Sequence, residues 1–329
     1  MQSKMSKPQV MAESQRLSLR DRKVRDLVVE KRRLVEVPYT ASLAHTINAL
    51  VANRVVAVPV AAPPGQWIGA GGSMIMESDK QTGVVRKHYI GMVTMLDILA
   101  HIAEEDAGDD GMDSQDCVFD VDRKIILDCM EVLSKGIHRA LVPLDSHIEN
   151  ATAGVELVES STSYRMLTQM DVLRFLKEQC ASKLEHIISC SVAELRAVSD
   201  QVFAVSHLTR VIDAIKSMRA ASLNAVPIVE ASADVDHKQI FDGQGRKLLG
   251  TFSSTDLRGC PTAQFQAWLP LNVLDLTEKV STSALYLDSG FSPRELITCQ
   301  PDSNLSIAID KAVTRHVHRV WVVDHLADT

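Results

Sequence analysis

Apolar residues recur along four parts of the chain with the spacing of a half-buried helix, and a short Val-rich segment typical of a buried strand follows each one. The pattern predicts helices over Leu43–Asn53, Lys124–Ser134, Leu208–Met218 and Leu305–Thr314. It predicts the strands that follow over Arg54–Val60, Gly136–Asp145, Leu223–Val229 and His316–Asp324. One helix–strand unit repeated along a chain is typical of an array of similar motifs.

A second pattern follows the first three units: an apolar strand, a hydroxyl residue, two further residues, an aspartate and an apolar helix start. The hydroxyl and aspartate pairs are Thr94 and Asp97, Thr168 and Asp171, and Ser253 and Asp256. This spacing is typical of a capping box, which satisfies the free N–H groups at a helix start. It also suits a ligand, because helix N–H groups face a phosphate and a carboxylate accepts bonds from sugar hydroxyls. Three copies argue against chance, and they leave both interpretations open.

The combined pattern resembles that of cystathionine-β-synthase (CBS) domains over about residues 20 to 329. Four tandem copies, with Ile-His138-Arg139 in the second and Val-His318-Arg319 in the fourth, are similar to the gamma regulatory subunit of AMP-activated and sucrose-non-fermenting-related kinases, in a plant-type, gamma-like form. The resemblance implies an α/β (α+β) fold of four tandem CBS motifs paired into two modules, one with two and three with four.

The repeats predict domain boundaries as follows: an N-terminal tail over 1–18, motif one over 19–103, motif two over 116–180, motif three over 184–260, and a linker with a partial motif four over 261–329. The fourth copy stops at Thr329, before its second strand and Thr-x-x-Asp element. We therefore expect motif four to be incomplete, with an exposed edge at Val320–Val323 that favours self-association or a supporting partner.

The resemblance also implies a set of nucleotide-binding residues: Thr94, Asp97, His138, Arg139, Thr168, Asp171, Ser253, Asp256, His318 and Arg319. In it the aspartates hold ribose and the His-Arg pairs face phosphate, with AMP, ADP or ATP as regulatory ligands and no obligatory cofactor. An exposed strand-end pair is the alternative for His138 and Arg139. Motifs one and three lack the basic pair, so their sites should favour the nucleoside or stay empty, and motif two is the most complete site.

Composition narrows the class of protein. The net charge of −7 argues against nucleic acid as a partner. The six cysteines are scattered, which argues against structural zinc and disulfides, and His316 and His318 alone do not make a metal site. No apolar run reaches the ~20 residues of a membrane helix. A soluble intracellular protein is therefore expected, in the cytoplasm or the nucleus and with no membrane partner.

Two local segments have competing interpretations. The basic segment up to Arg33 has interleaved acidic residues, which favours a solvated helix or tail over an anion-binding arm. The glycine-rich stretch Gly243–Lys247 precedes a strand, which favours a hairpin turn over a phosphate loop.

Two classes of function remain. The first is an adenine-nucleotide-sensing regulatory subunit that joins the catalytic and beta-type subunits of a serine/threonine kinase complex. The second is a CBS-fold scaffold with little or no nucleotide binding. No nucleophile–base constellation and no kinase signature is present in the sequence, so an enzyme is not expected.

Overall fold

Helices and strands alternate along the chain in an α+β arrangement. The computed structural model describes residues 23–28, 30–62, 89–104, 126–135, 137–143, 164–199, 201–231, 236–256, 265–282 and 296–324. Its helices are α1 Arg25–Val28, α2 Leu43–Ala52, α3 Met95–Glu104, α4 Ile126–Ser134, α5 Gln169–Gln179, α6 Glu185–Ile188, α7 Val211–Ala220, α8 Phe265–Trp268, α9 Val273–Ser281 and α10 Leu305–Thr314. Within these ranges, none of the helices has the length and apolar character needed to cross a membrane.

The strands are short. They are β1 Val37–Pro38, β2 Ala57–Ala61, β3 Tyr89–Thr94, β4 Arg139–Pro143, β5 Tyr164–Thr168, β6 Phe203–Ser206, β7 Ala225–Val229, β8 Phe241–Asp242, β9 Leu248–Ser253, β10 Thr298–Cys299 and β11 Trp321–Val322. The strand orders in the described sheets are β1-β2-β3, β4-β5, β8-β6-β7-β9 and β10-β11.

The antiparallel pairs β4–β5 and β7–β9 fix which residues stand beside the predicted site. Arg139 pairs with Thr168 at one end of β4–β5. Ala225 pairs with Ser253 at the equivalent end of β7–β9. Each hydroxyl of the repeated element is therefore the last residue of its strand, opposite the first residue of the partner strand.

The chain divides into two compact units that do not follow the order of the motifs. One contains residues 1–39, 60–91 and 113–186, and the other contains 40–59, 92–112 and 187–329. In the second unit, α3 of the first motif packs against α7 of the third. The residue boundaries given above for the motifs stay predictions, as does their number.

The first unit has a core to which the N-terminal segment contributes directly. Val24 and Val28, at most 1% exposed, pack in one cluster with buried residues of motif two, among them Leu133 and Leu167. A neighbouring cluster joins Tyr89 and Tyr164 edge to face, with ring centroids 5.4 Å apart. The basic segment, interpreted from the sequence as a solvated helix or tail, contains helix α1 and exposes charged residues such as Lys23 and Arg32, but its buried valines anchor it in the core.

The second unit is built around the four-stranded sheet. Every residue of β7 is buried, as expected for a strand covered on both faces. The largest side chains with no exposed surface in this sheet and its packing helix are Ile215, Met218, Ile228 and Phe252. This core holds the strand β9 that ends at Ser253.

The glycine-rich stretch forms a turn, and the strands beside it do not pair with each other. Arg246 donates its backbone N–H to Gly243 O at 3.2 Å, and Gly245 has a φ of +70°, which glycine adopts without strain. However, β8 pairs with β6, whereas β9 pairs with β7 at the opposite edge of the sheet. The prediction of a hairpin was therefore wrong in its pairing, because tertiary contacts with β6 and β7 separate the two strands.

Gly243 has no room for a side chain and Gly91 has room for one, so the two glycines are a matched pair for a stability test. A Cβ added at Gly243 would lie 2.5 Å from the Cβ of buried Ala204, whereas one added at Gly91 meets nothing within 4 Å. We expect Gly243→Ala to lower the free energy of unfolding by about 1–3 kcal/mol through overpacking. Gly91→Ala should be neutral or stabilise by up to about 1 kcal/mol. Urea denaturation measures both, and equal effects would contradict the close approach of β8 to β6.

Candidate functional site

The first two repeated elements place their hydroxyl residue at a strand-to-helix junction, and the third places Ser253 at the end of β9. Thr94 ends β3 and Thr168 ends β5, and a helix begins at the next residue in both cases. Thr168 has extended backbone angles, φ −127° and ψ 161°, as expected at a helix N-cap. The aspartate then falls on the third helical residue, where its carboxylate can fold back onto the cap.

In the first motif, Asp97 makes this fold-back contact in full. Its Oδ2 accepts bonds from the Thr94 N–H at 2.8 Å and from the Thr94 hydroxyl at 2.6 Å. The Asp97 N–H in turn donates to Thr94 Oγ1 at 3.2 Å. On the other oxygen, Oδ1, the guanidinium of Arg219 from α7 stands 3.9 Å away and also donates to Asp97 O at 3.5 Å.

In the second motif, Asp171 has the same cap and an additional cation. Its Oδ2 accepts from the Thr168 N–H at 2.8 Å and from the Thr168 hydroxyl at 2.7 Å. The ammonium of Lys31 donates to the same Oδ2 at 2.5 Å and to Met166 O at 2.5 Å. Oδ1 faces Arg174 at 3.7 Å. The predicted ribose carboxylate of this motif is therefore already engaged by a lysine of the N-terminal segment.

His138 and Arg139 lie at the same junction of motif two. Arg139 stands opposite Thr168 in the β4–β5 register. His138 Nδ1 lies 3.2 Å from Gln169 Oε1, and the Gln169 amide donates to Leu133 O at 3.1 Å. Both basic side chains are half-buried. The structure therefore brings the four predicted residues of motif two together, with Gln169 added to them.

The third motif keeps the aspartate contact but uses its hydroxyl differently. Asp256 Oδ2 accepts the Ser253 N–H at 2.8 Å, and the Ser253 hydroxyl hydrogen-bonds the hydroxyl of Thr255. Ser254 donates its N–H to Asn224 O at 2.9 Å, which ties this junction to the residue before β7. The junction is held by its backbone as well as by its side chains.

The fourth motif supplies a half-buried cation. Arg319 is partly enclosed, and burial lowers the pKa of its guanidinium below the ordinary value, although arginine stays charged at neutral pH. Within the described part of the chain, its guanidinium has no hydrogen-bond or ion-pair partner. His318, in contrast, is exposed. Half-buried Trp321 donates its indole N–H to Thr251 Oγ1 at 2.8 Å, which joins the strand after Arg319 to the strand that ends at Ser253.

Among the described residues, no three His, Cys, Asp or Glu side chains converge in a group that could hold a metal ion. The charged groups at the junctions are instead carboxylates, arginines and a lysine. This chemistry suits an organic anion with hydroxyl groups.

Comparison with known proteins gives the family. No protein-family model matches the chain. The SNF1-related protein kinase regulatory subunit gamma-like PV42a of Arabidopsis thaliana is 54% identical over 91% of this chain and 88% of its own length. The related PV42b of the same plant is 52% identical over 92% and 89%. The chain belongs to the SNF1-related protein kinase regulatory subunit gamma-like family.

A solved structure agrees with the fold of this gamma-like chain. Protein MJ1225 of Methanocaldococcus jannaschii, described as a candidate archaeal homologue of γ-AMPK, superposes with a TM-score of 0.57 over 92% of this chain and 93% of its own. Its sequence identity is 14%, so the likeness concerns the fold. The α+β CBS fold implied by the sequence resemblance is confirmed.

Sequence reasoning on this gamma-like chain missed two basic residues that contact the predicted ribose carboxylates. Lys31 belongs to the basic N-terminal segment, and Arg219 closes the amphipathic helix α7. Neither residue belongs to the sequence pattern that recurs in the motifs. The sequence offered one weak signal for Lys31: an anion-binding arm was the less favoured interpretation of the basic segment that contains it.

The contact of Lys31 with Asp171 predicts that the two equivalent aspartates differ in their effect on stability. Asp171→Asn should cost about 1–3 kcal/mol more free energy of unfolding than Asp97→Asn, because it alone breaks a close bond between a carboxylate and an ammonium. Both variants weaken a cap, which costs about 1 kcal/mol in each case. Urea denaturation of the two variants gives the difference. Equal losses would mean that Lys31 contributes nothing to stability.

Proposed function

We propose that this chain is a regulatory subunit that binds adenine nucleotides within an AMP-activated or SNF1-related type of serine/threonine kinase complex. The proposed partners of the chain are the catalytic and beta-type subunits of that kinase complex. The names of the relatives PV42a and PV42b support a regulatory role rather than a catalytic one. The cytoplasm or the nucleus is the proposed location.

The observation that carries the proposal is the half-buried guanidinium of Arg319. A charge that leaves water without a partner costs free energy, so such a group is usually matched by a ligand of opposite charge. Arginine offers a planar fork of donors that suits a phosphate. Trp321 joins the strand beside Arg319 to β9, which leads to Ser253 and Asp256. A phosphate donor thus precedes β11 and a ribose acceptor follows β9, the two strands that this side-chain bond joins in the second unit.

The caps support the ribose part of the proposal. In motif one, Oδ2 of Asp97 accepts the bonds of the cap, whereas among the described residues Oδ1 faces the guanidinium of Arg219 at 3.9 Å. A carboxylate has about four lone-pair sites, so it can accept sugar hydroxyls while it still caps its helix. Capping and ligand binding are therefore compatible, and the cap holds the carboxylate in one orientation.

A scaffold with little nucleotide binding is the second candidate function. The contact of Lys31 with Asp171 favours it, because one predicted ribose carboxylate is already paired within the chain. The absence of a basic pair from the sequence of motifs one and three favours it as well. A direct measurement of nucleotide binding separates the two candidates.

Calorimetric titration with AMP, ADP, ATP and adenosine tests the proposal. We expect binding of at least one nucleotide, and Arg319→Gln should lower the affinity for AMP and ATP by about 1.5–3 kcal/mol, the range for bonds to a charged group. The affinity for adenosine should stay nearly unchanged, because adenosine lacks the phosphate. Arg210→Gln is the matched control, since Arg210 is exposed and pairs with Asp213.

Two results would contradict the proposal. If none of the four compounds gives a heat of binding, the second candidate function, a scaffold with little nucleotide binding, is favoured. Equal losses for adenosine and AMP in Arg319→Gln would mean that Arg319 supports the structure of the site rather than a phosphate.

A further inference from the structure

We propose that Lys31 determines the occupancy of motif two: its ammonium engages Asp171, covers this carboxylate and so closes the site to nucleosides. The inference rests on the proposed function and adds to it the residue that selects which motifs bind. It concerns the site that the sequence alone presents as the most complete.

The contacts leave little acceptor capacity on the engaged oxygen. Asp171 Oδ2 already receives the Thr168 N–H, the Thr168 hydroxyl and the Lys31 ammonium, at 2.8, 2.7 and 2.5 Å. Its Oδ1 lies 3.7 Å from Arg174. The Asp171 side chain is only 10% exposed. A sugar hydroxyl bound to Oδ2 would have to displace the ammonium, which also donates to Met166 O, and the low exposure of the side chain leaves little room for a ligand at Oδ1.

Packing holds Lys31 in this position. Its backbone N–H donates to Val28 O at 3.0 Å, and its carbonyl accepts from Arg165 Nε at 2.9 Å. Val24 and Val28, which precede it, are buried in the cluster of motif two. A lysine on a free tail loses rotamer entropy when it forms an ion pair, whereas here the buried segment has already positioned the backbone. The closed state is therefore built into the fold of the first unit.

Motif one shows the contrast. Asp97 has the same cap, but the cation that faces it among the described residues is the guanidinium of Arg219, 3.9 Å from Oδ1, and the Asp97 side chain is 28% exposed. That distance is outside hydrogen-bond range, and the carboxylate keeps contact with solvent. Two aspartates with the same local cap thus differ in exposure, and the less exposed one is the one that Lys31 contacts.

The test counts AMP sites per chain by calorimetry in three variants of the full chain. Lys31→Met keeps the apolar stem of the side chain and removes the charge. We expect it to bind one AMP more per chain than the wild type, and the double variant Lys31→Met with Asp171→Asn should lose that additional site. Lys135→Met is the control, since Lys135 is 67% exposed and pairs with Glu131 in the same unit. It should match the wild type.

The outcomes separate this inference from the proposed function. If the wild type binds AMP and Lys31→Met binds the same number, the inference is overturned and the proposed function stands. An additional site that survives Asp171→Asn also overturns it. No binding in any variant overturns both. An additional site in Lys31→Met alone supports the inference even if the wild type binds nothing.

A measurement on the wild type does not depend on the folding of any variant. Hydrogen exchange of the backbone amides of residues 168 to 171 is followed with and without saturating AMP. A closed motif predicts unchanged exchange at these amides. Added protection there, on the scale of tenfold or more, would show that AMP enters motif two in the presence of Lys31, and would overturn the inference.

Discussion

The fold-back contact of an aspartate onto the end of its own strand is the interaction on which the rest of this structure depends. In all three copies, one carboxylate oxygen accepts the N–H of the residue three positions earlier, at 2.8 Å each time. In the first two copies, the contact satisfies an N–H group beside a helix start and holds the aspartate against the end of its strand. Strand, hydroxyl and carboxylate are therefore held in one geometry.

The copies diverge in the basic residue that reaches the carboxylate. The local sequence is nearly the same, so the difference comes from which basic residue the tertiary structure brings near. In motif two, a lysine in a buried segment engages the aspartate directly; in motif one, an arginine stands further away. An array of similar motifs can in this way acquire sites of different accessibility without any change in the motif itself. Ligand selection then depends on contacts between motifs.

The elements of this fold follow from the sequence to a large extent. Helix α10 spans the predicted residues Leu305–Thr314, and α2 ends one residue before the predicted Asn53, which is its C-cap. These segments have strong apolar periodicity and clear caps, which are local signals. The capping interpretation of the Thr-x-x-Asp elements is confirmed for the same reason, since it involves residues only three positions apart.

Contacts between distant segments could not be predicted in this way. Lys31 and Asp171 are 140 residues apart, and the Arg219 guanidinium reaches the Asp97 backbone across 122 residues. No periodicity in the sequence relates these positions. The prediction of a hairpin after β8 failed for a similar reason, because the pairing of β8 with β6 overrides the local preference for a hairpin. The role of the site residues in binding nucleotide stays a prediction.

A crystal structure of the chain grown with AMP tests the central claim most directly, namely that the capped junctions are built to hold a nucleotide. We expect electron density with the ribose hydroxyls on a junction aspartate of the second unit, Asp97 or Asp256, and with the phosphate against Arg319. Asp171 should remain bound to Lys31. AMP bound away from all three junctions, or crystals with no nucleotide at saturating concentration, would contradict the account.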